Sequence, residues 1–355
     1  MILTYKYRIK DRSACKTLRR HAFATNQVWN WCVAQQRDIE ARYRAGAPKR
    51  KWLGRFDLTK QCEGVGAELG IRQQTVQEVC RQFVQSRSQH GCPSFRASFG
   101  KKRACGWIPF QKQSRRIDGN SIIYLGKRYR FWEGRRLLPE TAKGGAFVED
   151  TRGHWHIIFH VEIAERPQPK TGTIGIDLGL KSFAVISSGE IIENPRHLNR
   201  WGERLAVAQR AGKKRRSAAI HAHITNARKD FHHKLSTRLA REYAFIAVGN
   251  VNAKNLAKTR MAKSVLDAGW SSFRDMLRYK AATFVEVDER FTTQTCSSCG
   301  ALPPERPKGI AGLGIRAWGC SECGASHDRD VNAARNILTL ARSAPRLAEE
   351  SRRSA

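Results

Sequence analysis

Apolar residues along the chain fall into successive textures that predict its elements. Residues 1–10, Met-Ile-Leu-Thr-Tyr-Lys-Tyr-Arg-Ile-Lys, alternate in the manner of a strand. Residues 12–44 carry Leu18, Ala22, Val28, Trp29, Trp31, Cys32 and Ile39 at helical spacing. Residues 57–88 repeat that period with Leu58, Val65, Ile71, Val76, Val79, Phe83 and Val84. A Gly/Pro/Lys/Arg-rich loop at 45–55 separates the two, and Gly91-Cys92-Pro93 ends the second. From 94 to 165 the runs are short and alternating. Strands are predicted at 121–125, 146–149 and 156–161, with hairpin turns at Gly119-Asn120 and Arg152-Gly153. A small β-barrel follows from this pattern, with residues 1–10 as an added strand and the helices inserted after it. Arg166-Pro-Gln-Pro-Lys-Thr-Gly172 reads as a linker.

Beyond the linker, strands at 173–178, 182–188 and 190–193 follow closely, like an antiparallel meander. A basic helical region at 196–241, a strand at 244–249, a helix at 263–281, a strand at 283–288 and a last helix at 330–341 complete the run. Three short strands and then alternating strands and helices is the order of an RNase H-like fold.

Charge changes the picture more than length does. Among 355 residues, 65 Lys/Arg stand against 31 acids, a formal charge of +34. Such a charge repels itself in a compact state unless a polyanion accompanies it, and nucleic acid is the obvious one. Residues 101–136 hold eleven Lys/Arg and two acids, interleaved with Trp107, Phe110, Tyr124, Tyr129, Phe131 and Trp132. Cations among aromatics suit phosphate contact and base stacking. Residues 196–238 hold twelve Lys/Arg and two acids, including Lys213, Lys214, Arg215 and Arg216. A solvated helix face mixes the signs more evenly. The expected contacts are Lys101, Lys102, Arg103, Arg115, Arg116, Lys127, Arg128 and Arg130 in the first stretch. In the second they are Lys213 to Arg216, Arg228 and Lys229. No apolar run reaches membrane-spanning length and the N-terminus is no signal peptide, so a cytoplasmic, nucleoid-associated protein is expected.

Four of the ten cysteines form two pairs, Cys296-x-x-Cys299 and Cys320-x-x-Cys323, separated by twenty residues. That spacing fits a zinc ribbon, a closed four-thiolate site with no room for water and hence structural. The scattered six, Cys15, Cys32, Cys62, Cys80, Cys92 and Cys105, read as ordinary buried thiols. In Gly175-Ile176-Asp177-Leu178-Gly179 a carboxylate sits inside an apolar strand, where it is costly unless a metal ion offsets it; an Asp capping a turn beside glycines is the other reading. In His327-Asp328-Arg329-Asp330-Val331-Asn332-Ala333-Ala334-Arg335-Asn336-Ile337, acids open a helix directly after the last cysteine pair. They either complement its N-terminus or turn Asp330 toward Asp177.

Together these residues resemble the TnpB/OrfB proteins of bacterial insertion sequences, relatives of the type V CRISPR effector nucleases. The resemblance is sharpest from Gly172 to Leu338. It rests on GIDLGLKSFAV from Gly175, on Asn226 to Ser236, on Thr293 to Cys299 and on Asp328 to Asn336, with Gly91-Cys92-Pro93-Ser94-Phe95 as a further segment. It implies an α+β multidomain chain. Residues 1–10 and 91–168 would form a β-barrel wedge-like domain and 11–90 a helical recognition domain inserted in it. Residues 172–341 would form an RNase H-like RuvC nuclease domain with a zinc ribbon at 292–326, and 342–355 a disordered tail. The implied activity is guide-RNA-dependent cleavage of double-stranded DNA beside a short adjacent motif, with the guide from the element's own locus. Three carboxylates would hold two Mg²⁺ ions that polarise the scissile phosphate, activate water and stabilise the leaving oxygen. Base pairing would supply most of the sequence specificity.

By motif match Asp177 is the first carboxylate and Asp330 the third, preferred over Asp328. The second departs from the pattern: the family ends the strand at Phe245-Ile246-Ala247-Val248-Gly249 with Glu where Gly249 stands. The next strand, Phe284-Val285-Glu286-Val287-Asp288-Glu289, offers Glu289 as a displaced ligand, with Glu286 as second choice. Glycine at 249 would leave room for that longer reach. Two other readings stand beside the nuclease: an RNA-guided DNA-binding repressor without cleavage, and a protein-only DNA-binding transposase subunit.

Overall fold

The computed structural model describes residues 2–11, 13–49, 52–132, 141–162, 171–308 and 311–343. The linker expected at 166–172 and the tail expected at 342–355 lie almost wholly outside them. Ser343 still belongs to the last helix. The chain divides into two compact units, Met1–Glu165 and Arg166–Ala355. Among the described residues no helix is long and apolar enough to cross a membrane.

The first unit begins with strand β1 (Ile2–Arg8) and the long helix α1 (Ala14–Arg44). The single helix expected over 57–88 is three pieces: α2 (Arg55–Gln61), α3 (Val65–Glu68) and α4 (Gln73–His90). Gly64 and Gly70 adopt φ of 81° and 64°, a left-handed backbone that ends one helical segment and redirects the next. Strands β2 (Trp107–Gln111), β3 (Arg115–Asp118), β4 (Ser121–Tyr124), β5 (Lys127–Arg130), β6 (Ala142–Glu149) and β7 (Trp155–Glu162) follow. They form a four-stranded sheet in the order β1-β7-β6-β2 and a three-stranded sheet β3-β4-β5. An Ile9–Phe131 bridge joins the sheets. β1 pairs with β7 along its whole length, so the first strand closes onto the last across the inserted helices.

Strand alternation sorts the aromatics of this unit. Phe110, Tyr124, Tyr129 and Phe131 are all buried in the core between the sheets. The expectation that they interleave with Lys and Arg for base stacking is therefore corrected: each lies at an inward position, while the cations beside them point out. Of that group Trp132 is exposed, with Lys10 Nζ 4.6 Å from its ring centre. Cys32, Cys62 and Cys80 are buried thiols in the core between α1, α2 and α4, as read; Cys92 is exposed.

The second unit is a five-stranded sheet. The meander β8 (Thr173–Leu178), β9 (Ser182–Ile186) and β10 (Ile191–Glu193) is extended by β11 (Phe245–Gly249) and β12 (Thr283–Val287), in the order β10-β9-β8-β11-β12. The meander is antiparallel, whereas β11 runs parallel to both β8 and β12. Helices α5 (His197–Arg210) and α6 (Lys214–Glu242) form the basic region. Next come α7 (Ala253–Leu256), α8 (Ala262–Ala268) and α9 (Trp270–Lys280), the last two interrupted at Gly269. Hairpin strands β13 (Ala317–Gly319) and β14 (Ser326–Asp328) lead into α10 (Arg329–Ser343).

The sheet has two covered faces. Ile174, Ile176, Ile246 and Val248 pack with Leu235 and Leu239 of α6 and Phe273 and Leu277 of α9. Ala247, Val285 and Val287, of opposite parity, pack with Ile337 and Ala341 of α10. Gly175 also lies on the α10 face. A Cβ there would come within 2.0 Å of the Ala334 carbonyl oxygen, so glycine is what lets the helix backbone rest on the strand. Ala333 and Ala334 are fully buried at this contact.

Candidate metal centres and nucleic-acid surface

The two cysteine pairs sit on two copies of one turn. Cys296-Ser-Ser-Cys299-Gly300-Ala301 and Cys320-Ser-Glu-Cys323-Gly324-Ala325 share the pattern Cys-x-x-Cys-Gly-Ala. In each, the N–H of the first cysteine donates to the alanine carbonyl at 2.9 Å, and the glycine N–H donates back to the first cysteine, at 2.9 Å and 2.8 Å. Gly300 and Gly324 adopt φ of 77° and 71° to close the turns. The four sulfurs lie within 4.8 Å of one another. Cys296 and Cys323 are 3.6 Å apart and Cys299 and Cys320 3.7 Å. A tetrahedral zinc with about 2.3 Å bonds to sulfur has edges of about 3.8 Å, so the thiolate set fits that ion. His327, buried against Trp318, places Nε2 3.0 Å from the Cys296 sulfur and orients it from behind.

The acidic residues gather on the α10 face of the sheet. Strand parity puts Asp177 there, two residues beyond Gly175. The register Val248↔Ile176 sets Gly249 next to Asp177, and Gly249 in turn pairs with Val287 of β12. Glu289 follows two residues past Val287. A Cβ built on Gly249 would lie 2.9 Å from Glu289 Oε2, 3.3 Å from Glu289 Cβ and 3.2 Å from Ile337 Cδ1. The Glu289 side chain thus occupies the space that a side chain at 249 would need. Glu286 falls at the other parity and is engaged by Arg274 and Arg278. The second-choice ligand is thereby withdrawn.

Asp328 and Asp330 separate by role. Asp328 Oδ1 accepts from the N–H groups of Asp330 and Val331 at 3.0 Å and 2.9 Å, the work of a helix N-cap. Asp330, in the first turn, pairs with Arg316 and with Arg329, the latter at 2.9 Å. Burial, then the like charges of Asp330 and Glu289, push the Asp177 carboxyl well above the usual range. Burial also raises Glu289, with Arg274 opposing and Asp288 adding to it. Three carboxylate side chains, two of which raise the proton affinity of the third, Asp177, are a donor set suited to hard divalent cations. Among the described residues, the thiolates are the only set of three or more such ligands mutually within 4.8 Å; the carboxylates stand wider. Glu289 also lines an open cleft of about 520 Å³ with Asn250, Arg274 and Arg290.

Two residues that the sequence reading left without a role connect the centres. Asn332 and Asn336, both buried, each donate Nδ2 to the carbonyls of Thr292 and Thr295. Asn332 Oδ1 accepts from Ser297 N–H at 2.9 Å. Thr292 in turn donates to the Glu289 carbonyl from its N–H and its hydroxyl, at 3.1 Å and 2.8 Å. One face of α10 therefore holds the segment that runs from Glu289 into the first cysteine turn. The signal was present as two asparagines at i and i+4 beside an apolar stripe.

The basic residues divide into exposed cations and cations engaged by the fold. Lys101, Lys102, Arg116, Lys229 and the run Lys213 to Arg216 are exposed. The run stands at the N-terminal end of α6, where positive charge is unfavourable to the helix itself and a phosphate would offset it. Arg103 pairs with Glu149, Arg128 with Asp118 and Arg130 with Asp11. Arg115 donates to the Ala142 carbonyl at 2.6 Å, and Lys127 to the Thr17 hydroxyl at 3.1 Å. Arg228 pairs with the nearly buried Asp267 at 2.9 Å and ties α6 to α8.

Known proteins fall on the same segments. Residues 156–260 match the OrfB_IS605 model, described as a probable transposase, and residues 270–337 match the Cas12f1-like TNB domain. A putative RNA-guided DNA endonuclease of Streptomyces pristinaespiralis is 40% identical over 224 residues, 57% of this chain and 54% of that protein. The putative RNA-guided DNA endonuclease InsQ of Escherichia coli strain K12 is 27% identical over 257 residues, 62% of each chain. The TnpB-like protein L79 of Acanthamoeba polyphaga mimivirus is 28% identical over 226 residues, 55% of this chain and 42% of that one. The chain thus spans about half the length of the curated relatives it matches. One family model lies on the sheet and basic helices and the other on the cysteine turns and α10, and over these segments the chain is similar to TnpB-like proteins and putative RNA-guided DNA endonucleases.

Proposed function

We propose that this protein is an RNA-guided DNA endonuclease whose acidic centre is Asp177, Glu289 and Asp330. The observation that carries the proposal is Glu289 Oε2 standing where a side chain at Gly249 would begin, beside the strand position of Asp177. A glutamate has moved from one strand end to the next, and the glycine left behind admits it. The order of three antiparallel strands and two parallel ones, with α10 across the face, supports an RNase H-like, RuvC-type reading of the second unit. The sheets and helices of the first unit are in this reading the wedge-like and recognition parts. A zinc ion in the four thiolates would fix the segment 292–326 as a rigid insertion.

Phosphodiester hydrolysis adds water to phosphorus as the bond to one ester oxygen breaks. Two Mg²⁺ held by Asp177, Glu289 and Asp330 would supply polarisation of the phosphate and stabilisation of the leaving oxygen. The chain's own residues do the positioning. The sheet fixes Asp177, and Asn332 and Asn336 fix the segment after Glu289. Arg316 and Arg329 hold the Asp330 carboxylate in one orientation and bring positive charge to the edge where a phosphate would enter. The exposed run Lys213 to Arg216 would, in this reading, meet a heteroduplex backbone.

The experiment is cleavage of a plasmid library in which a guide-matched target adjoins randomised flanking bases, with RNA co-expressed from the protein's own locus. Guide-dependent cuts with Mg²⁺ that vanish in EDTA and in Asp177→Ala are expected. Tight guide-dependent binding without cuts would replace this reading with that of a DNA-binding repressor, the second reading, which the absent acid at Gly249 favours.

A further inference from the structure

The first unit holds a built site for which neither the acidic centre nor the thiolate cluster accounts. Phe99 is 76% exposed and Phe23 38% exposed, with ring centres 5.4 Å apart. The loop that carries Phe99 is stitched to α1. Asn26, 3% exposed, donates Nδ2 to the Ser98 hydroxyl at 3.1 Å and accepts from Arg96 Nε at 2.9 Å. One turn on, Asn30 accepts from the Arg96 N–H at 2.7 Å and donates to its carbonyl at 3.1 Å. Both backbone groups of Arg96 are fixed, so Phe99 stands beside Phe23 by construction.

The other wall of the site is charged. Glu149, with its side chain fully buried, accepts from Arg103 at 2.7 Å and 3.1 Å and from Arg19 at 3.3 Å. It also accepts from the Gly106 N–H at 3.0 Å. Burial opposes ionisation of Glu149, but the bonds from Arg103 and Gly106 outweigh it and hold the carboxyl below its usual range. One carboxylate serves two guanidiniums, which leaves one positive charge in excess. The side chains of Arg19 and Arg103 remain 55% and 37% exposed. The aromatic pair and the two arginines line one open cavity of about 370 Å³, a size within the range of small-ligand sites.

We propose that this cavity binds one unpaired nucleotide of a nucleic-acid strand, its base stacked on the exposed Phe99 ring, against which Phe23 is tilted by 46°, and its phosphate on Arg19 and Arg103. An exposed aromatic ring beside a fixed, net positive wall matches a base joined to a phosphate. A pair inside a duplex is stacked on both faces, so the interior of a duplex cannot offer a base to the ring. An apolar peptide is disfavoured because the chain after Phe99 continues into the exposed cations Lys101 and Lys102. The site rests on the nucleic-acid part of the reading above and not on cleavage.

The test uses the full chain with single-stranded RNA, single-stranded DNA and blunt duplexes of the same sequence, each titrated with wild type, Phe99→Ala and Phe99→Trp. Phe99 is exposed, so Phe99→Ala is expected to melt like wild type. It is expected to weaken binding of unpaired strands about tenfold and to leave duplex affinity within about twofold, while Phe99→Trp retains both. Arg19→Gln is expected to weaken the same strands and lower the salt slope by about one. Loss on RNA alone assigns the nucleotide to the guide, and loss on DNA alone to a target strand; either supports the site. Equal loss on duplex, or no loss on single strands, overturns it. If wild type binds no strand at all, the nucleic-acid reading falls with it.

Discussion

The thiolate cluster and the acidic centre both gather side chains suited to metal ions, yet they are assembled in opposite ways. The thiolates stand on two copies of one local turn, each closed by its own backbone hydrogen bonds, and their spacing is that of a tetrahedral ion. The carboxylates come from β8, from the segment after β12 and from α10, and burial and then the like charge of the other two raise the proton affinity of Asp177. The first kind of site is written into short sequence words and has little freedom to change. The second is held by strand register and helix packing, and any residue that reaches the same space can serve. Gly249 and Glu289 are, in the proposed reading, an instance of that freedom: the side chain of Glu289 lies against the position where glycine leaves none.

Removing zinc should have the largest structural effect. Chelation, or Cys320→Ser, is expected to release the order of the segment 292–326, since a structural four-thiolate zinc contributes about 10–16 kcal/mol. The sheet and its α6, α9 and α10 layers should survive, because their cores do not include that segment. Hydrogen exchange confined to 292–326 would sharpen the contrast, and global unfolding would break it. A smaller effect is expected from Asn332→Ala, which leaves the Thr292 and Thr295 carbonyls with one donor fewer and the Ser297 N–H without its side-chain acceptor. A cost of about 1–3 kcal/mol is expected. Cleavage should fall with it through Glu289, while metal-to-protein stoichiometry at the thiolates is unchanged; loss of zinc instead would show the two centres to be one unit.

The smallest effect concerns charge in the metal-free protein. The folded state raises the Asp177 pKa, so its favourable protonated form is retained at acid pH and stability is lost as pH rises through the raised value. In EDTA, Asp177→Asn should therefore raise Tm at about pH 7 and give no gain at about pH 4, near the ordinary carboxylate range. An equal gain at both pH values would remove electrostatics as the cause.

Much of this was legible in the sequence for reasons that the same contrast explains. The cysteine spacing, the strand carrying Asp177 and the meander are local patterns. Glu289 was readable as a neighbour of Gly249 because parallel strands end on one edge. The choice between Glu289 and Glu286 was not, since it depends on which face α10 covers, and that contact is non-local. Once Val285 and Val287 are seen on that face, parity assigns Glu289 to it and turns Glu286 toward Arg274 and Arg278. The helices expected over 57–88 and 263–281 ran through Gly64 and Gly269 because apolar periodicity persists across a break. The aromatics of 101–136 misled because cations alternate with them, and alternation in a strand separates two faces rather than building one surface.

The most direct test of the displaced ligand is a double exchange, Glu289→Ala combined with Gly249→Glu, measured by guide-dependent cleavage and by Mn²⁺ binding to the protein without DNA. Glu289→Ala alone is expected to lose both, and Gly249→Glu alone to lose cleavage because its side chain collides with Glu289. Together they should restore both in good part. Cleavage and Mn²⁺ binding that survive Glu289→Ala unchanged would contradict the account.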